Sequence, residues 1–116
     1  MTATVVVVGD TDFQHQVLES QDPVIVDFHA DWCAACKRID PLLKEVEEQL
    51  ETHVKCVKVD IGVDKNDALP MQYAVSKLPT LLMFCKGQVV EEISNLTSPQ
   101  TIARQIQRIM RTGSMT

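Results

Sequence analysis

Two cysteines with two residues between them, in Trp32-Cys33-Ala34-Ala35-Cys36, are the side chains best equipped for chemistry. They fall between an apolar run, Val24–Ala30, and a stretch of helical periodicity from Ala34 to about Leu50. With the second cysteine on the first helical turn, the spacing brings the sulfurs within disulfide range. Cys33 then sits at or beside the helix N-cap, where free N–H groups and the helix dipole favour an anionic sulfur. That lowers the thiol pKa and raises the fraction of thiolate, the species that attacks disulfides. Lys37 and Arg38 add positive charge nearby. The competing use of such a pair is half of a zinc site. Zinc takes about four ligands, yet there is no second close cysteine pair, and His29 and His53 fall on different predicted elements.

Asp27 interrupts an otherwise apolar segment, Val24-Ile25-Val26-Asp27-Phe28. Strand alternation puts Ile25, Asp27 and His29 on one face. A carboxylate there is desolvated, which raises its pKa and lets it exchange a proton near neutral pH. The competing reading is a carboxylate satisfied structurally by a lysine or by buried water. Lys58 is the natural partner, since Cys56, Lys58 and Asp60 share one face of the next predicted strand. Leu78-Pro79-Thr80, just before a strand, marks a rigid turn, cis or trans, with trans the commoner isomer of such bonds.

The elements that must hold these residues follow from periodicity. Thr4–Val8 is a short β-branched run and reads as a strand. Thr11-Asp12-Phe13-Gln14 fits a capping box, with Phe13 and Val17 on one helical face. Val24–Ala30 is apolar at nearly every position, the mark of a strand buried on both faces. Ile39, Leu42, Leu43, Val46 and Leu50 recur at helical spacing around Pro41, which should bend that helix. Lys55–Ile61 is a strand and Ala68–Val75 a short helix. Thr80–Cys85 and Val89–Ser94 are strands joined by a tight hairpin at Lys86-Gly87. Ile102, Ala103, Ile106, Ile109 and Met110 mark a last helix that Gly113 would end. The alternation implies parallel pairing with right-handed crossovers and an antiparallel closing hairpin. The expected fold is α/β: a mixed five-stranded sheet flanked by helices on both faces.

At 116 residues the chain suits one domain over 1–116, with 112–116 expected as a disordered tail. Its 45% hydrophobic content supplies a core, and aromatic residues at 4% leave aliphatic side chains to fill it. The net charge of -5 argues against a nucleic-acid binder. No stretch approaches the apolar length of a membrane span, and Met1–Asp10 lacks the basic leader and apolar segment of a secretory signal. The four cysteines are too sparse for a secreted disulfide scaffold, so one reactive site in an intracellular protein is expected. The compartment expected is the cytoplasm, or the mitochondrial matrix after removal of a transit peptide. Cys56 and Cys85 are expected to be small buried hydrophobes.

Val26-Asp27-Phe28-His29-Ala30-Asp31-Trp32-Cys33, Cys36-Lys37, Pro41, Lys58-Val59-Asp60-Ile61, Leu78-Pro79-Thr80 and Lys86-Gly87 together resemble the thioredoxin family over nearly the whole chain. His29, where many members carry Trp, is most similar to the mitochondrial-type branch. The resemblance implies that Cys33 attacks a substrate disulfide and Cys36 resolves the mixed disulfide. It implies that Asp27, helped by Lys58, assists proton removal from Cys36 through water. Pro79 would be cis, leaving the Leu78 backbone to pair with substrate beside Trp32, Ala34 and Ala35. It also implies a monomer that binds no cofactor or metal and acts on disulfide-containing proteins. Thioredoxin reductase, drawing on NADPH and flavin, or glutathione would recharge it.

Three features depart from the family pattern. Ala34-Ala35 stands where Gly-Pro is usual, restoring an N–H at Ala35. If that N–H points at Cys33 it stabilises the thiolate, giving a less negative reduction potential. Ile93-Ser94-Asn95-Leu96 replaces a glycine-bearing loop, with Asn95 as the residue most tolerant of glycine-like dihedrals. Ser76-Lys77 replaces a segment that often has glycine. Besides a disulfide reductase, three alternatives remain: a binding module without turnover, an iron–sulfur-bridged dimer, and a relay domain of membrane-linked thiol transport.

Overall fold

The computed structural model describes residues 5–50 and 53–112. Strand β1 (Val5–Val7) leads into helix α1 (Asp10–Phe13), continued by a π-helical stretch, Gln14–Leu18. Next come β2 (Val24–His29), α2 (Ala34–Gln49) and β3 (Lys55–Asp60). A 3-10 turn (Asp64–Asn66), α3 (Ala68–Gln72), β4 (Thr80–Cys85), β5 (Gln88–Ile93) and α4 (Pro99–Thr112) complete the order. Thr4, the Gly113 helix stop and, beyond Thr112, the expected tail lie outside the described residues.

The sheet runs β1-β3-β2-β4-β5. β1 and β2 both pair parallel with β3, whereas β2–β4 and β4–β5 are antiparallel. β2 is central, which explains its unbroken apolar character: with neighbours on both edges and helices over both faces, it has no solvent side. On one face Ile39, Leu43 and Val46 of α2 and Ile102 and Ile106 of α4 pack over Ile25, Leu81, Met83 and Ile93. On the other, Phe13, Val17 and Leu69 cover Val24, Val26, Phe28, Val57, Val59, Leu82 and Phe84. Asp27 lies on the α2–α4 face, two residues from Ile25.

One local detail differs from expectation. The first helix starts at Asp10, not from a Thr11 capping box, with Gly9 as N-cap at φ 89°. No side chain caps the helix; Asp12 Oδ2 reaches back to accept from the Val8 amide at 3.0 Å, and the Gly9 amide donates to Asn66 Oδ1 at 2.7 Å. The Lys86-Gly87 hairpin forms as expected, with both residues at positive φ, 52° and 81°. A Cβ on Gly87 would lie 2.8 Å from the Leu18 carbonyl oxygen, so glycine is required there twice over.

Candidate active site

The chain leaves β2 at His29, turns through Ala30–Trp32 and enters α2, and this turn presents the cysteines. The Cys33 amide donates to the Ala30 carbonyl at 3.1 Å, fixing the turn. Cys33 is the N-cap of α2, and its Sγ accepts from the Cys36 amide at 3.1 Å. The two sulfurs form a disulfide, with Cα atoms 5.3 Å apart. Cys33 is 8% exposed and Cys36 3%, so a substrate sulfur can reach the first more readily. Sequence reasoning places the helix start and the pair correctly. It expects the extra donor to Cys33 from Ala35, whereas the hydrogen bond formed comes from Cys36. This follows from the position: an N-cap side chain commonly bonds the third amide of its helix.

Trp32 is 75% exposed beside the disulfide, and Ala34 is exposed as well. Leu78 packs partly buried against Ala30, Cys33 and Cys36, together with Ala35 and Ile61. The Leu78–Pro79 peptide bond is cis. Thr80 Oγ1 donates to the Lys77 carbonyl at 2.6 Å and closes that turn. Pro79, Ala35, Arg38, Ile39, Leu42 and Leu96 line a cavity of about 460 Å³ along the first turns of α2. Trp32, Ala34, Ala35, Leu78 and Pro79 thus surround the disulfide as a surface on which a peptide could lie.

Asp27 is fully buried, and neither carboxylate oxygen has a hydrogen-bond partner among the described residues. It faces Lys58 in the β2–β3 register, as Ile25 faces Cys56 and His29 faces Asp60. Lys58 Nζ stands 4.0 Å from Asp27 Oδ2 and donates to Asp40 Oδ1 at 2.8 Å. Burial pushes the Asp27 carboxyl up to about 7, with Lys58 opposing and Asp40 reinforcing. Burial pulls the Lys58 ammonium down, but the Asp40 hydrogen bond and the Asp27 charge hold it above its usual value. Desolvation, then the Lys58 charge, lower His29, which favours the neutral imidazole. The arrangement provides a carboxyl able to gain or lose a proton near neutral pH, under the helix that carries Cys36.

Asp40 is the residue sequence reasoning misses. The available signal is its position one helical turn after Cys36, on the same side of α2. Arg38, expected only as a nearby charge, lines the groove together with Leu96 of the 93–96 loop. Asn95 does not adopt left-handed dihedrals; Ala74 and Lys86 are the non-glycine residues at positive φ among those described. Gln105 of α4 holds the loop instead, donating to the Asn95 carbonyl and accepting from the Ser94 amide.

Cys56 and Cys85 are both buried. His29, Asp31 and Asp60 each bring a ligand atom within 4.8 Å of the others. The set falls short of the roughly four donors of a closed zinc site, and Asp60 Oδ1 already accepts from the Gly62 amide.

The thioredoxin family model matches residues 4–108. Thioredoxin C-2 of Corynebacterium nephridii is 44% identical over 92 residues, covering 79% of this chain and 83% of the relative. Thioredoxin 1 of Synechococcus elongatus is 37% identical over 101 residues, covering 87% and 92%. The solved structure of a point-mutant thioredoxin from Halobacterium salinarum superposes with a TM-score of 0.76 at 33% identity, covering 90% of this chain and 88% of that one.

Proposed function

This chain belongs to the thioredoxin family, and from that premise we propose how its residues carry out the work of a thiol–disulfide oxidoreductase on protein disulfides. The reduced enzyme starts with a Cys33 thiolate, which attacks one sulfur of a substrate disulfide. A Cys33–substrate bond forms, and the other substrate sulfur leaves as a thiolate. Asp27, as carboxylate, takes the proton of the Cys36 thiol, with water as the carrier. Cys36 then attacks Cys33 Sγ; the Cys33–Cys36 disulfide closes and the second substrate thiolate departs. Two electrons pass from the dithiol to the substrate, so the cysteines are the redox group and no bound cofactor or metal is needed.

The observation that best supports this reading is Cys33 Sγ held at the N-terminus of α2 by the Cys36 amide and bonded to Cys36. A thiolate formed there keeps that donor and gains the helix dipole. Trp32 and the Ala34–Ala35 turn flank the sulfur, and the Leu78 backbone before cis-Pro79 offers hydrogen-bonding groups to an extended substrate chain. His29 supports a place near the mitochondrial-type branch. Oxidised enzyme would be recharged by thioredoxin reductase, with NADPH and flavin, or by glutathione. A monomer in a reducing compartment, the cytoplasm or the mitochondrial matrix, fits this chemistry. No described helix is long and apolar enough to cross a membrane. The sheet with both faces covered and a radius of gyration of 13.1 Å favour one domain across the chain.

NADPH-coupled reduction of insulin, run with thioredoxin reductase and separately with glutathione, tests the reading. Steady turnover with at least one donor, abolished in Cys33→Ser, is expected. No turnover with either donor, or turnover that survives Cys33→Ser, contradicts it.

A further inference from the structure

Asp40 has no part in the motif that identifies the site, yet it makes the closest polar contact to the buried acid–base pair. Lys58 Nζ is 2.8 Å from Asp40 Oδ1 but 4.0 Å from Asp27 Oδ2. The Asp40 side chain is 44% exposed, Lys58 21% and Asp27 1%, so the three descend from the rim of the α2–β3 cleft into the core. The ammonium is hydrogen-bonded to the carboxylate at the rim. The carboxylate in the core receives only its through-space attraction. One turn before Asp40 on α2 is Cys36.

We propose that Asp40 is a positioning residue for the exchange reaction: by holding Lys58 at the rim it keeps the ammonium from pairing with Asp27, and so sets the pH at which Asp27 can accept the Cys36 proton. The inference rests on the reading of Asp27 as that acceptor. Two effects of Asp40 act in the same direction. Its negative charge disfavours a second carboxylate nearby, and its hydrogen bond holds the Lys58 ammonium 4.0 Å from Asp27. The surroundings leave few other groups to do this. Along β2 the same face carries His29, held toward its neutral form by burial and by Lys58. β3 presents Cys56, Lys58 and Asp60, α2 presents Cys36 and Asp40, and β4 places Leu81 opposite Asp27. α4 contributes Ile102, Ala103, Ile106, Ile109 and Met110 to the apolar cluster on this face.

The test is the titration of the Asp27 carboxyl carbon, followed by ¹³C NMR in the reduced full-length protein, for the parent, Asp40→Asn, Asp40→Ala and Asp40→Glu. Asn removes the charge but keeps an oxygen for Lys58, whereas Ala removes both. The expected result is a lower midpoint in both: in Ala by at least about half a pH unit, a roughly threefold change in ionisation, and by less in Asn. Glu should restore the parent midpoint. The acid limb of the pH–rate profile for insulin reduction should move down with it. A purely structural role for Asp40 would leave the midpoint in place. An unmoved or higher midpoint in Asn or Ala overturns the proposal. Insulin reduction by Asp27→Asn judges the underlying reading separately: slower turnover supports Asp27 as the acceptor, and unchanged turnover contradicts it.

Discussion

Asp27 and Lys58 are register partners across β2 and β3, yet their charged ends stand 4.0 Å apart without a hydrogen bond. The carboxyl is therefore desolvated with only the through-space attraction of Lys58 to offset it, and this has consequences for stability as well as for catalysis.

Burial raises the Asp27 carboxyl from an ordinary value near 3.8 to about 7 in the folded protein. Between those limits the folded state binds more protons than the unfolded chain, so stability falls as pH rises through the window and levels off above about 7. Asp27→Asn removes that slope. Urea unfolding should find the Asp27→Asn variant more stable than the parent by about 2–4 kcal/mol at pH 8, and the gain should shrink toward pH 4.5. A gain of the same size at both pH values, or a loss at pH 8, contradicts the assignment. The same variant should reduce insulin more slowly, because the proton acceptor for Cys36 is gone.

Ala35 is the second amide of α2, and its N–H lies in the helix's positive first turn although the hydrogen bond to Cys33 comes from Cys36. Ala35→Pro removes only that dipole contribution, worth about 0.3–1 kcal/mol. At ~30 mV for 1.4 kcal/mol, the proline variant should have a reduction potential about 10–20 mV more negative than the parent. Equilibration with glutathione buffers measures it. A parent potential at or below that of the variant would show that residue 35 contributes nothing to the poise.

What the sequence makes legible follows from rigid local geometry. Period-two alternation puts Asp27 and Lys58 on matching faces, because a strand leaves no other choice for alternate residues. The apolar stripe from Ile39 to Leu50 locates α2, and with it the place of Cys33 at the helix end. The cis bond before Pro79 is legible only through the family resemblance, since the local sequence alone favours trans. Helical spacing puts Asp40 on the Cys36 side of α2, but its contact with Lys58 stays hidden because it depends on where α2 crosses β3, a tertiary relationship. Hydrogen-bond choices are hidden for a similar reason. Gly9 takes the first cap in place of Thr11, Cys36 competes with Ala35 for the sulfur, and Gln105, distant in sequence, fixes the loop at Asn95. Each outcome turns on small differences in position.

On this mechanism the sulfur of Cys33 is the activated nucleophile of the pair. The pH dependence of its alkylation by iodoacetamide in the reduced protein, with the modified residue identified by mass spectrometry, tests this most directly. The expected result is labelling of Cys33 ahead of Cys36, with a midpoint at least about one pH unit below the ~8.5 of free cysteine. A midpoint at or above that value, or labelling that falls first on Cys36, would contradict the account.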